Sequence, residues 1–254
     1  MDAMSQRTSI KGQVIIVTGA GSGIGREIAD SFAKRGAIVA ACDKNVSALS
    51  ALKQESMLEN LHTFEVDFIS EGSILECVNK VQSDLGDIQA VVNCVGILGK
   101  NGEKVENLDI ADFDLVYALN LRAALILTKA VIGGMAVRGY GRILHLASIS
   151  GKEGNPLLVA YSATKAGLIG MVKSVGKEYA TTGVTVNAMA PALVQSPMTE
   201  SFSNEQLEYL KSKIPMNRIG TADEVAEMAA WIVSPACSFT TGFTFDLSGG
   251  RATY

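Results

Sequence analysis

A chain of 254 residues with 26 acidic and 22 basic residues, a net charge of −4 and no extended basic run is a poor nucleic-acid binder and is long enough to bury a large core. Its four cysteines (Cys42, Cys77, Cys94, Cys237) form no C-x-x-C pair and its two histidines (His62, His145) are far apart, which argues against a metal site. The first residues, MDAMSQRTSIKGQ, hold no signal-peptide core and no run of about 18 apolar residues follows, so a soluble, cytoplasmic protein with no membrane span is expected.

In chain order, strands are predicted near 13–18, 37–43, 62–67, 88–95, 141–148, 184–190 and 243–247. Helical periodicity fills the intervals at 24–35, 45–58, 71–84, 110–137, 160–180, 200–212 and 222–233. The strands are mostly continuous apolar runs, as strands covered on both faces are. Strict alternation of strand and helix predicts an α/β chain with one doubly wound parallel sheet, a single-domain Rossmann layout whose ligand lies beyond the strand carboxyl ends. No linker divides residues 1–254. The longest irregular stretch, PALVQSPMTE at 191–200, starts a predicted lid at about 192–215.

The first strand runs into TGAGSGIG, Thr18 to Gly25. This is not G-x-G-x-x-G; the pattern is T-G-x-x-x-G-x-G. It nonetheless precedes a helix, whose free N–H groups and dipole favour an anion. Gly21 and Gly23 let backbone approach a pyrophosphate without Cβ interference. Asp43 ends the second strand, 18 residues after Gly25, where a carboxylate accepts hydrogen bonds from an adenosine ribose. It would also repel a 2′-phosphate, so NAD is expected over NADP. Asp67, at the end of the third strand, is a second candidate for the adenine end.

Downstream, AYSATKAG places Tyr161 and Lys165 four apart on one helix face, after Ser148 at the end of a strand. Oxidising an alcohol needs a base for the hydroxyl proton while hydride leaves for nicotinamide. Tyrosine is a poor base, with a pKa of about 10. An ammonium about 4 Å away would favour the phenolate by roughly 4 kcal/mol at an effective dielectric of 20, or about three pKa units. Ser148 would then hold the substrate oxygen beside the phenol.

With these residues in order, about 10–250 of the chain resembles the short-chain dehydrogenase/reductase family. The matching motifs are TGAGSGIG, Asn120 in ALNLR, Ser148 in LASIS, Tyr161 and Lys165 in YSATK, and VTVNAMAP. The resemblance implies strand order 3-2-1-4-5-6-7, NAD as cofactor and a homotetramer assembled through the long helices. It implies that Asn120 orders a water beside Lys165, and that Lys165 also anchors the nicotinamide ribose. Cofactor contacts are expected from Gly19, Gly21, Ser22, Gly23, Ile24, Gly25, Asp43, Asp67 and Phe68. Further contacts are expected from Asn93, Gly96, Tyr161, Lys165, Pro191, Val194 and Ser196. Two departures stand out: N-N-A-G is NCVG here, Asn93 to Gly96, and P-G is Pro191-Ala192, which is harmless unless Ala192 needs positive φ.

The segment after Ser148 is polar before Pro156, with Lys152, Glu153 and Asn155. That wall suits a hydroxylated substrate. It resembles the branch acting on 2-keto-3-deoxy-L-fuconate and 2-keto-3-deoxy-L-rhamnonate. Ser150, Lys152 and Arg218 are the expected substrate residues, the two cations for a carboxylate. A reductase of 3-oxoacyl thioesters is the alternative; Asp43 argues against its NADPH preference. A non-catalytic dinucleotide sensor is a third reading, opposed by the presence of Asn120, Ser148, Tyr161 and Lys165.

Overall fold

The structure is a computed structural model that describes residues 7–200 and 203–254. Seven strands form it: β1 (Val14–Thr18), β2 (Ile38–Asp43), β3 (Leu61–Glu65), β4 (Ile88–Asn93), β5 (Gly141–Leu146), β6 (Val184–Pro191) and β7 (Thr244–Leu247). They pair in parallel in the order β3-β2-β1-β4-β5-β6-β7, which is the expected order.

The apolar runs follow from burial on both faces. On β1, Val14 and Ile16 enter one core while Ile15 and Val17 enter the other. The helices at Gly23–Lys34, Val46–Ser56 and Ala222–Ile232 cover one face, through Ile28, Phe32, Leu52 and Ala229. Glu71–Leu85, Ala123–Val137 and Val159–Glu178 cover the other, through Val78, Leu127 and Val172. β1 and β4 are neighbours in the sheet but not in the chain, so winding reverses between them. That reversal opens a crevice at their carboxyl ends.

The differences from the predicted elements have local causes. The predicted helix at 110–137 is interrupted by a π turn at Ala118–Arg122. By length and composition Ile110–Val137 is apolar enough to cross a membrane, contrary to the expectation from apolar runs alone, yet half of its most apolar window is buried. Ala124, Leu127, Val131 and Met135 are spent on the sheet core, so it reads as a core helix. The short helix Ile149–Glu153 was not predicted, since five residues show no period. The predicted helix at 200–212 is represented by Pro197–Glu200 and Asn204–Ser212; residues 201–202 of the expected lid, like residues 1–6, lie outside the described residues.

Candidate active site

The glycine loop leaves β1 with Gly19 at φ +66° and Gly23 at φ +52°. A Cβ on Gly25 would lie 2.3 Å from the Gly19 carbonyl oxygen, so Gly25 is required for the helix to pack against the loop. One on Gly21 would lie 2.9 Å from Asp43 Cγ. The Gly21 N–H instead donates to Asp43 Oδ2 at 2.9 Å, while the Asn45 N–H donates to Oδ1 at 2.9 Å. At the start of Gly23–Lys34, Ser22 makes no side-chain cap and no acid sits in the first turn. The helix therefore keeps its first N–H groups and its positive end for an external anion. These features fit a dinucleotide: a pyrophosphate at the helix end and a ribose at Asp43.

The loop opens on a cleft of about 400 Å³ along the strand carboxyl ends. Ser148, just beyond β5, is the N-cap of Ile149–Glu153; its Oγ accepts from the Ser150 N–H at 3.1 Å. Tyr161 and Lys165 project from the first turns of Val159–Glu178, and the Ser148 hydroxyl lies beside the Tyr161 phenol. Lys165 is 4% exposed, donates to the Leu146 carbonyl at 2.6 Å and places Nζ 5.6 Å from the Tyr161 ring centre.

Asn120 sits in the π turn, fully buried. Its Oδ1 accepts from the Ile97 N–H at 2.8 Å and its Nδ2 donates to the Ile97 carbonyl at 2.9 Å. π turns recur at functional sites because they re-aim a side chain within a helix. Gly96 lies between: a Cβ there would be 3.2 Å from both Asn120 Oδ1 and Lys165 Nζ. Its lack of a side chain keeps the asparagine-to-lysine approach open.

Two pKa directions follow from burial. Withdrawal from water raises the Tyr161 phenol above its ordinary value, with the Ser148 hydrogen bond opposing it. This corrects the expected downward shift for the chain alone. Burial lowers Lys165 to about 8. Its ammonium donates to the Leu146 carbonyl, 5.6 Å from the Tyr161 ring centre.

Of the cofactor residues expected from sequence, all line the cleft except Gly21 and Asn93. Gly21 acts by holding Asp43. Asn93 lies below the cleft in a buried network that ties β1, β4 and β5 together. Thr18 Oγ1 donates to Asn93 Oδ1 at 2.7 Å, and Asn93 Nδ2 meets His145 Nδ1 at 3.3 Å. Thr128 Oγ1 donates to the Ala124 carbonyl and so accepts from His145 Nε2 at 3.0 Å, which makes His145 the neutral Nε2–H tautomer. Burial, then the nearby Lys165 charge, lowers His145 to about 3. Ala192 is not at positive φ, so the Pro-Ala departure leaves the loop unstrained.

The three expected substrate residues separate. Ser150 lines the cleft. Lys152 does not: its side chain is 6% exposed and paired with Asp246 at 3.2 Å. Arg218 is also off the cleft, held by Glu224 through two hydrogen bonds of 2.9 and 2.6 Å. The sequence reading missed Arg251, which lines the cleft together with Asn155. Arg251 follows the last strand and belongs to no periodic pattern, so only the fold brings it there.

A family model described as "Enoyl-(Acyl carrier protein) reductase" matches residues 19–252. The chain is 39% identical over 243 residues to a 2-dehydro-3-deoxy-L-rhamnonate dehydrogenase (NAD(+)) of Sphingomonas sp. (strain SKA58), covering 96% of each chain. It is 35% identical over 246 residues to an acetoacetyl-CoA reductase of Cupriavidus necator, covering 94% of this chain and 97% of the relative. A solved structure, gox2181, superposes with a TM-score of 0.93 at 25% identity, covering 97% of this chain and 98% of that one.

Proposed function

The chain belongs to the short-chain dehydrogenase/reductase family, and on that premise we propose that it moves a hydride between NAD and a secondary alcohol of a 2-keto-3-deoxy sugar acid, of the L-rhamnonate or L-fuconate type. The observation that carries the chemistry is Ser148, Tyr161 and Lys165 converging on one cleft with the glycine loop and Asp43. The substrate class draws on the 39% identical relative and on the polar wall of Ser150 and Asn155.

NAD, when bound, supplies the hydride acceptor for oxidation. The glycine loop and the start of Gly23–Lys34 would hold its pyrophosphate, Asp43 its adenosine ribose, and Lys165 its nicotinamide ribose. Asp67 and Phe68 would face the adenine, and Val194 and Ser196 the nicotinamide end. The Ser148 hydroxyl donates to the substrate oxygen. Tyr161, as phenolate, takes the hydroxyl proton. The burial that raises its pKa must be offset by positive charge, from Lys165 and from the oxidised nicotinamide. Asn120, fixed by Ile97, stands behind Lys165 at the start of a route by which the proton reaches solvent.

A homotetramer built through the long helices is part of the proposal. Leu115 and Leu125 remain 40% and 50% exposed on Ile110–Val137, and Val137 is 90% exposed. Light scattering on the purified chain tests it, and a monomer would contradict it. The same reading places the chain in the cytoplasm, with a small-molecule substrate as its partner rather than nucleic acid or membrane; there its free cysteines stay reduced.

The activity is tested by NAD⁺ reduction, followed by absorbance, across sugar acids, polyols and 3-hydroxyacyl thioesters, each repeated with NADP⁺. A rate confined to sugar acids with NAD⁺ supports the reading. Turnover of thioesters alone, with the phosphorylated cofactor, would replace it with the activity named for the Cupriavidus relative.

A further inference from the structure

We propose that Arg251 is the residue that selects an anionic substrate, by pairing with the substrate carboxylate at the far end of the cleft; this rests on the sugar-acid reading above. Among the described residues, three cations line the cleft: Lys44, Lys165 and Arg251. Lys44 follows Asp43 at the adenosine end, and Lys165 belongs to the catalytic centre. Arg251 alone stands on the side where the substrate enters the chemistry.

Its position relative to the reacting atoms is set by a chain of short contacts. The Ser148 hydroxyl accepts from the Ser150 N–H at 3.1 Å. The Ser150 hydroxyl accepts from Asn155 Nδ2 at 2.7 Å, and Asn155 Oδ1 accepts from Arg251 Nη2 at 3.2 Å. A molecule whose carbinol sits at Ser148 and whose carboxylate lies a few carbons away would run along this wall.

The guanidinium is already oriented. Its side chain is 7% exposed, and its Nε and Nη2 donate to Glu153 Oε2 at 3.0 and 2.8 Å. Glu153 thus occupies one edge of the planar fork and fixes its plane. Nη2 gives its second hydrogen to Asn155 Oδ1, and Nη1 has no protein acceptor among the described residues, so the Nη1 hydrogens are the donors left for a second oxyanion. A rigid, nearly dry guanidinium with Nη1 unpaired discriminates a carboxylate from a neutral group of the same shape, because its hydrogen bonds to charge are the stronger ones. Lys152 and Arg218 do not line the cleft and leave this task to Arg251.

The test compares a 2-keto-3-deoxy sugar acid with its own methyl ester, in the native chain and in Arg251→Leu and Arg251→Lys. NADH binding, read by fluorescence, confirms that each variant retains its cofactor site. The native chain should favour the acid by about 10- to 100-fold in kcat/KM, mostly through KM. Arg251→Leu should bring the acid-to-ester ratio close to one. Arg251→Lys, which keeps the charge but loses the fork, should fall between and serves if the leucine variant does not fold. A native acid preference that survives in both variants would overturn the role of Arg251 while leaving the sugar-acid reading intact. Equal native turnover of acid and ester would also overturn it, since no carboxylate would then be recognised. A native chain that turns over neither would remove the sugar-acid reading itself.

Discussion

Replacing Lys165 with methionine isolates the cost of keeping an ammonium in the cleft. Burial lowers its pKa from 10.5 to about 8. Between those values the unfolded chain holds a proton that the folded chain has released, so stability rises with pH across the window. At 1.36 kcal/mol per pKa unit the full effect is about 3 kcal/mol, most of it gained between pH 8 and pH 10.5. Urea unfolding of the native chain and Lys165→Met, repeated from pH 7 to pH 10.5, reads the difference directly. Titrations common to both proteins cancel, and Cys94, raised to about 12 by burial, lies above the window. The native chain should gain on the variant as pH rises. A native-minus-variant stability that is flat with pH, or that falls, would show that the Lys165 ammonium is solvated in the folded chain, and the argument from burial would fail.

Tyr161→Phe removes the proton acceptor and should cut the oxidation rate by about 10²- to 10⁴-fold, with NADH binding retained by fluorescence titration. Asp43→Asn keeps an acceptor for the Gly21 N–H and removes the charge. At about 1 kcal/mol per unit charge even in bulk water, relief of repulsion toward a 2′-phosphate should raise the NADP⁺-to-NAD⁺ ratio of kcat/KM by about 10- to 30-fold; an unchanged ratio would sink the specificity role. Gly25→Ala forces a Cβ to within 2.3 Å of the Gly19 carbonyl. It should cost about 1–3 kcal/mol in thermal unfolding and weaken NADH binding as well.

The strands and the glycine loop were legible because their signals are local, whereas the order of the strands in the sheet came from the family resemblance. Val14 to Val17 are apolar on both sides of the pleat, and TGAGSGIG follows at once. The π turn at Asn120 was not legible, since the apolar period runs through it unchanged. Asn93 was expected at the cofactor, and nothing in NCVG announces that its side chain turns inward to Thr18 and His145. Lys152 and Arg218 show the limit of reading charge from a loop. Their acidic partners, Asp246 and Glu224, are 94 and 6 residues away, and the short helix that directs Lys152 has no sequence period. Arg251 reaches the cleft only because β7 ends beside the loop after β5. In the chain alone the Tyr161 phenol is raised rather than lowered, because the spacing in Y-x-x-x-K fixes a shared helix face, whereas the desolvation that wins there depends on the surrounding fold.

The most direct test of hydride transfer uses a 2-keto-3-deoxy sugar acid deuterated at its carbinol carbons, incubated with NAD⁺ and the native chain, with the reduced cofactor analysed by mass spectrometry. The account predicts one deuterium per reduced nicotinamide, and no such product with Tyr161→Phe on the same timescale. Reduced cofactor that carries no deuterium, or deuterium transfer unaffected by the loss of the Tyr161 hydroxyl, would contradict it.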